Sequence, residues 1–161
     1  MNRFLIYFTG LIVIFGILWG LVFQRDEAEE PLTQEVSVFF GNTIFDPLGL
    51  DCRSVFRVTR RVEGEFEIEK KSLEALLAGP FTEEKATGYI STINSRVSIR
   101  HFDIRDKVAH VDFDKTFEEG VAGSCRVIHI RSEIESTLMQ FGTVHEVVIS
   151  VEGRTEGVLQ P

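Results

Sequence analysis

Residues 4–23 form an unbroken uncharged stretch, apolar or small throughout, with Tyr7 and Thr9 its most polar members. Twenty residues at helical rise reach about 30 Å, the hydrocarbon thickness of a bilayer. A helix buried in a soluble core rarely runs that far without a charge, so the stretch reads as a transmembrane helix. A cleaved signal has an apolar region of about 7–15 residues and a small-residue cleavage site. Here the run is longer and leaves through Gly20-Leu21-Val22-Phe23-Gln24-Arg25, with no Ala-x-Ala pattern and no nearby cysteine for a lipobox. An uncleaved signal anchor is expected. Arg3 and the amino terminus precede it, and Arg25 is followed by acids, so the positive-inside bias places residues 1–3 in the cytoplasm. The rest of the chain is then extracytoplasmic, in a single-pass protein of the cell membrane.

The formal net charge is −8. An acidic domain repels phosphate backbones and anionic lipid surfaces, which excludes nucleic acid as a partner and disfavours a second membrane contact. Arg53, Arg57, Arg60 and Arg61 do cluster, but Glu63, Glu65, Glu67 and Glu69 follow at once, so the cluster reads as a solvated strand face.

Beyond the anchor, residues 24–35 read as an acidic linker, and order is expected over residues 36–153, with 154–161 a C-terminal tail. Val36-Ser37-Val38-Phe39-Phe40 has the β-branched and aromatic content of a strand. Residues 43–51, with Pro47 and Gly49, read as an irregular excursion. Residues 52–62 alternate as a second strand without showing which face is buried. Residues 65–78 carry a one-sided apolar stripe, Ile68, Leu73, Leu76 and Leu77 with Ala75, and therefore a helix. Gly79 suits a left-handed C-cap and Pro80 forbids continuation. Residues 80–95 read as a long loop. Residues 97–113 read as a hairpin around a three-residue turn, Arg105-Asp106-Lys107. Ser124 is a natural N-cap for a second helix reaching about Phe141, with core positions Val127, Ile130, Ile134, Leu138 and Phe141, and Gly142 as its C-cap candidate. Residues 146–151 alternate as a last strand. The order β, β, α, hairpin, α, β predicts an α/β (α+β) two-layer sandwich: a mixed sheet of four to five strands with two helices on one face.

No catalytic, cofactor or metal set emerges. His101 and His110 straddle the hairpin turn with Asp103 and Asp112 nearby, but this lacks the ligand spacing of a metal site and reads as exposed strand histidines. His129 and His145 read as surface residues. Asp112 and Asp114 share a strand face, where solvation keeps carboxylates ordinary. Cys52 and Cys125 are the only cysteines. An even count and an extracytoplasmic location favour a disulfide between them, worth roughly 4 kcal/mol through loop closure.

Four motifs in fixed order carry a resemblance. They are Leu73-Glu74-Ala75-Leu76-Leu77-Ala78-Gly79-Pro80, Gly88-Tyr89-Ile90-Ser91-Thr92, Val111-Asp112-Phe113-Asp114, and Ser136-Thr137-Leu138-Met139-Gln140-Phe141 running into Val144-His145-Glu146-Val147-Val148-Ile149-Ser150-Val151-Glu152-Gly153. The series resembles the GerMN domain of bacterial sporulation and spore-germination proteins, over residues 36–153. Asp114 stands where that family typically has serine. The resemblance implies an α/β domain without established catalytic residues that binds or assembles in the cell envelope. Envelope proteins or the cell wall are the expected partners, and the α/β domain is the element through which an oligomer would form. The alternative is a small-ligand or peptidoglycan-binding module, for which an aromatic cleft around Tyr89, Phe102 and Phe113 would be the mark.

Overall fold

The structure, a computed structural model, describes residues 32–160. The expected transmembrane helix and the linker up to residue 31 lie outside the described residues. The elements run β1 (Thr33–Asn42), β2 (Phe56–Glu63), α1 (Ile68–Leu77), α2 (Thr82–Ala86), β3 (Tyr89–Ile90), β4 (Ile99–Arg105), β5 (Val108–Phe113), a 3-10 turn (Lys115–Glu118), α3 (Ser124–Leu138) and β6 (Glu146–Val151).

The fold is α+β, but the expected single sheet is two three-stranded sheets. One is antiparallel, in the order β2-β1-β3; the other, β4-β5-β6, pairs β4 with β5 antiparallel and β5 with β6 parallel. The division has a simple cause. β1 is paired on both edges, and its partner β3 is two residues long, too short to pass the ladder on to β4. A parallel pair needs a long crossover, and α3 supplies it between β5 and β6. One core serves both sheets, built from Val38 and Phe40 of β1, Leu73 and Leu76 of α1, Val111 and Phe113 of β5, Ile130, Ile134 and Leu138 of α3, and Ile149 and Val151 of β6.

The first helix stops where its sequence says. Gly79 takes φ 76° and donates its amide to the Leu76 carbonyl, leaving Pro80 outside. The second helix departs from expectation at both ends. Its cap is Gly123, at φ 90°, with Ser124 the first helical residue, and it ends at Leu138 with Met139 as C-cap, three residues short of Gly142. Gln140 accounts for the early stop. Its Nε2 takes the Thr137 carbonyl at 2.5 Å and the Ser37 carbonyl at 2.6 Å, while its Oε1 accepts from Ser37 N–H at 2.9 Å. The side chain thus replaces a helical turn with a clamp on β1. The hairpin turn is two residues, Asp106 and Lys107, both at positive φ as a type I′ turn requires. After β6 the chain does not trail off, because Val158 and Leu159 are buried in the core.

Residues 80–95, expected as a loop, hold α2 and β3, and the reason is Arg60. On β2 the inward side is Phe56, Val58, Arg60 and Val62, so Arg57 and Arg61 are solvated as expected while Arg60 is buried. Its guanidinium meets both Glu84 oxygens at 2.5 and 2.6 Å and lies 3.9 Å from the Phe81 ring centroid. Glu84 also accepts the Phe81 amide at 2.7 Å, fixing the start of α2. The Arg60 contact holds the Glu84 carboxyl below its usual range against the opposing effect of burial. Its folded pKa being depressed, its stabilisation is present above the ordinary glutamate value and is lost as pH falls through the folded value. Glu84→Gln leaves a buried guanidinium half-paired and is expected to cost about 3 kcal/mol, read as a lower urea midpoint at pH 7, with the gap to wild type closing in acid.

Candidate functional site

Residues 125, 129 and 133 are each four apart, so Cys125, His129 and Glu133 lie along one side of α3. That side faces the C-terminal end of β1, β3 and the excursion between β1 and β2. The disulfide Cys52–Cys125 is formed, with Cα atoms 5.0 Å apart, and ties the excursion to the first turn of α3. A cleft of about 350 Å³ opens beside it, lined by Gly41, Asp46, Leu48, Cys52, Cys125 and His129 among others.

Glu133 has no exposed surface. Ser91 Oγ donates to its Oε2 at 2.9 Å, the Thr92 amide donates to Oε1 at 3.2 Å, and the Gly41 backbone adds a further bond. Burial outweighs these bonds and raises its pKa to about 7. His129 lies one turn earlier, with Nε2 3.6 Å from Glu133 Oε1. Burial lowers the His129 pKa, opposed by the Cys52 backbone and the Asp46 and Asp51 carboxylates. Both shifts favour the uncharged forms, which weakens any ion pairing between the two groups. A Cβ on Gly41 would come within 2.7 Å of His129 Nε2, so glycine is what lets β1 approach the ring.

The order of contacts limits the chemistry. A hydrolytic triad needs the imidazole between hydroxyl and carboxylate. Here the carboxyl lies between Ser91 and His129, and Ser91 Oγ also accepts the Ile93 amide at 3.2 Å. The arrangement fastens the segment after β3 to α3.

Leu48 and Ile90 line the cleft, and the excursion carries further exposed apolar side chains. Ile44, Phe45, Leu48 and Leu50 are between 62% and 79% exposed, and Ile90 is 44% exposed. The excursion that carries them is held in shape locally. Asn42 Oδ1 accepts the Ile44 and Phe45 amides at 2.8 and 3.1 Å, Asp46 accepts from Leu50, and Asp51 accepts from Arg53 and Ser54.

The other sequence candidates lie elsewhere. The hairpin register sets His101 opposite Asp112 and Asp103 opposite His110, and His101 Nε2 contacts its own neighbour Asp103 at 3.0 Å. No group of three metal-ligating side chains occurs among the described residues. For Asp112, burial is outweighed by the Gly153 amide, the Ser150 hydroxyl and Arg100, leaving its pKa below the ordinary value. Asp114 caps the 3-10 turn and accepts from Ser98 and Thr116; despite burial these bonds hold it near pKa 2. Both act as turn and cap acceptors. His145 is exposed as expected; His129 is not the surface residue expected. Phe113 is fully buried and stacked on Phe117 at 4.2 Å, so Tyr89, Phe102 and Phe113 form no open aromatic cleft. Sequence reasoning missed Glu133 altogether. The four-residue spacing from Cys125 and His129 was the available signal.

A family model described as "Sporulation and spore germination" matches residues 38–157. Among solved structures, the chain is similar to the tandem GerMN domains of the sporulation protein GerM from Bacillus subtilis. The two are 19% identical with a TM-score of 0.60, over 81% of this chain and 44% of that one. It is also similar to the first GerMN domain of the same protein, 18% identical with a TM-score of 0.55, over 76% of this chain and 85% of that one. The chain thus spans less than half of the tandem-domain structure, and at these identities the likeness is one of fold. No curated protein matches this sequence.

Because the folded pKa of Glu133 is raised, its contribution is fully present below the unfolded glutamate value of 4.5 and is lost as pH rises through about 7. Denaturation midpoints measured from pH 4.5 to 8 are expected to show a loss of about 3 kcal/mol from this group, and Glu133→Gln is expected to flatten that slope.

Proposed function

This chain belongs to the sporulation and spore germination family, the GerMN domains, and from that premise we propose that it is a non-enzymatic binding or assembly module of the bacterial cell envelope. Residues 4–23 anchor it in the cytoplasmic membrane and the domain stands outside. The observation that carries the reading is the excursion between β1 and β2. It exposes Ile44, Phe45, Leu48 and Leu50 together, although nothing in the core requires them there. Four large apolar side chains exposed on one short segment are the pattern of an interaction site. The non-catalytic part of the reading is supported by the order Ser91–Glu133–His129, which sets the hydroxyl against the carboxyl and leaves the imidazole on the carboxyl's far side.

The partner is a protein, because the exposed apolar segment has the character of an interface core and the acidic chain repels anionic lipid. A photo-crosslinking residue placed at position 48 or 50 of the full chain, in native membranes, is expected to trap one discrete protein adduct. The same residue at Arg105, in the hairpin turn, should trap none. The double variant Leu48→Asp, Leu50→Asp should lose the adduct of a crosslinker at position 45 while unfolding within about 0.5 kcal/mol of wild type, as surface changes do. Equal labelling from positions 48 and 105 would refute the assignment of this surface.

A further inference from the structure

The loop between β1 and β2 is fastened to the body of the domain at few points. None of residues 43–55 is buried. At its start, the Thr43 amide donates to Gly88 and the Asp46 amide to Asn42. From Pro47 to Val55 the hydrogen bonds run within the loop, Gly49 and Leu50 to Asp46, and Arg53 and Ser54 to Asp51. The exception is the Cys52 backbone, which meets the His129 ring. The Cys52–Cys125 bond is therefore the main attachment of the outer loop, the part that bears Leu48 and Leu50.

That bond is placed where a thiol reagent reaches it. Cys125 is exposed and Cys52 half-buried. Cys125 is the second residue of a 15-residue helix whose cap, Gly123, offers no side-chain acceptor and whose first turn contains no acid. The unpaired amides and the dipole at such an end stabilise a thiolate, lowering its pKa and making it the better leaving group. Arg126 follows at once in the sequence.

We propose that Cys52–Cys125 is a reducible latch, a thiol–disulfide exchange site for a dithiol-bearing protein, which releases the apolar loop while the core stays folded. The reductant thiolate attacks Cys52 Sγ and forms a mixed disulfide, and the electron pair of the broken bond leaves on Cys125 Sγ as a thiolate. The second thiol of the reductant then attacks its own sulfur in the mixed disulfide and frees the Cys52 thiolate. Two electrons pass from the dithiol, which becomes a disulfide, and its two protons end on the two cysteines. The latch does not depend on the loop having a protein partner, and its test contains none.

The full chain is titrated with dithiothreitol under native conditions, quenched with an alkylating agent and read by mass, with backbone hydrogen exchange followed in parallel. Complete reduction without denaturant is expected, with exchange over residues 47–55 rising about tenfold or more and amides of α3 and β5 changing less than about twofold. The Cys52→Ser, Cys125→Ser double variant should match the reduced protein. In the Cys52→Ser variant, the pH midpoint for alkylation of Cys125 is expected about one unit below the ordinary cysteine value near 8.5. Reduction that requires denaturant, loss of core protection together with the disulfide, unchanged exchange over residues 47–55, or a Cys125 midpoint at or above the ordinary value would each overturn the proposal.

Discussion

Glu133 is a carboxyl group in the middle of a core, on a helix whose other buried residues are aliphatic apart from Thr137. An ionisable group in that position is costly unless it is hydrogen-bonded or neutral, and here it is hydrogen-bonded with burial favouring the neutral form. Ser91, Thr92 and Gly41 supply the bonds, and burial raises the pKa. These partners come from the end of β1 and from the segment just after β3. Satisfying one side chain therefore fixes where the first sheet ends against α3. The disulfide and the His129 ring sit on the same side of the helix, so the position of the outer loop is set from there as well. Arg60 plays the matching part at the other end of β3. It draws α2 onto the sheet through Glu84 and Phe81.

Much of this was legible in the residues. Alternation and apolar stripes placed β1, α1, α3 and β6, and Gly79-Pro80 marked where α1 stops. Those signals are local, and they report burial by periodicity. What escaped was long-range or polar. Arg60 and Glu84 are 24 residues apart, and each reads alone as a surface charge. Glu133 breaks the apolar stripe of α3 and so reads as solvent-facing. The division into two sheets also had no local mark, because it follows from how short β3 is, and a two-residue strand leaves no period in the sequence. The ends of α3 were misplaced for a similar reason, since Gln140 closes the helix by reaching 103 residues back to Ser37.

The family assignment rests on residues 38–157, and the features with the clearest bearing on function lie near the start of that span. The excursion between β1 and β2 contributes nothing buried to the core, yet it holds most of the exposed large apolar side chains near the cleft. A segment of that composition is expensive to display in water. The proposed role as a binding module follows from this.

The caps of that excursion have a further consequence. Asp46 and Asp51 close its turns from within, and the rest of the domain touches it at its two ends, at Cys125 and at His129. Its tip can therefore exchange residues, lengthen or shorten without disturbing the packing of α1, α3 or either sheet. Two lineages carrying the same domain would be free to diverge in what they recognise at a rate set by the loop alone, while the scaffold beneath it stays under the slower constraint of its core.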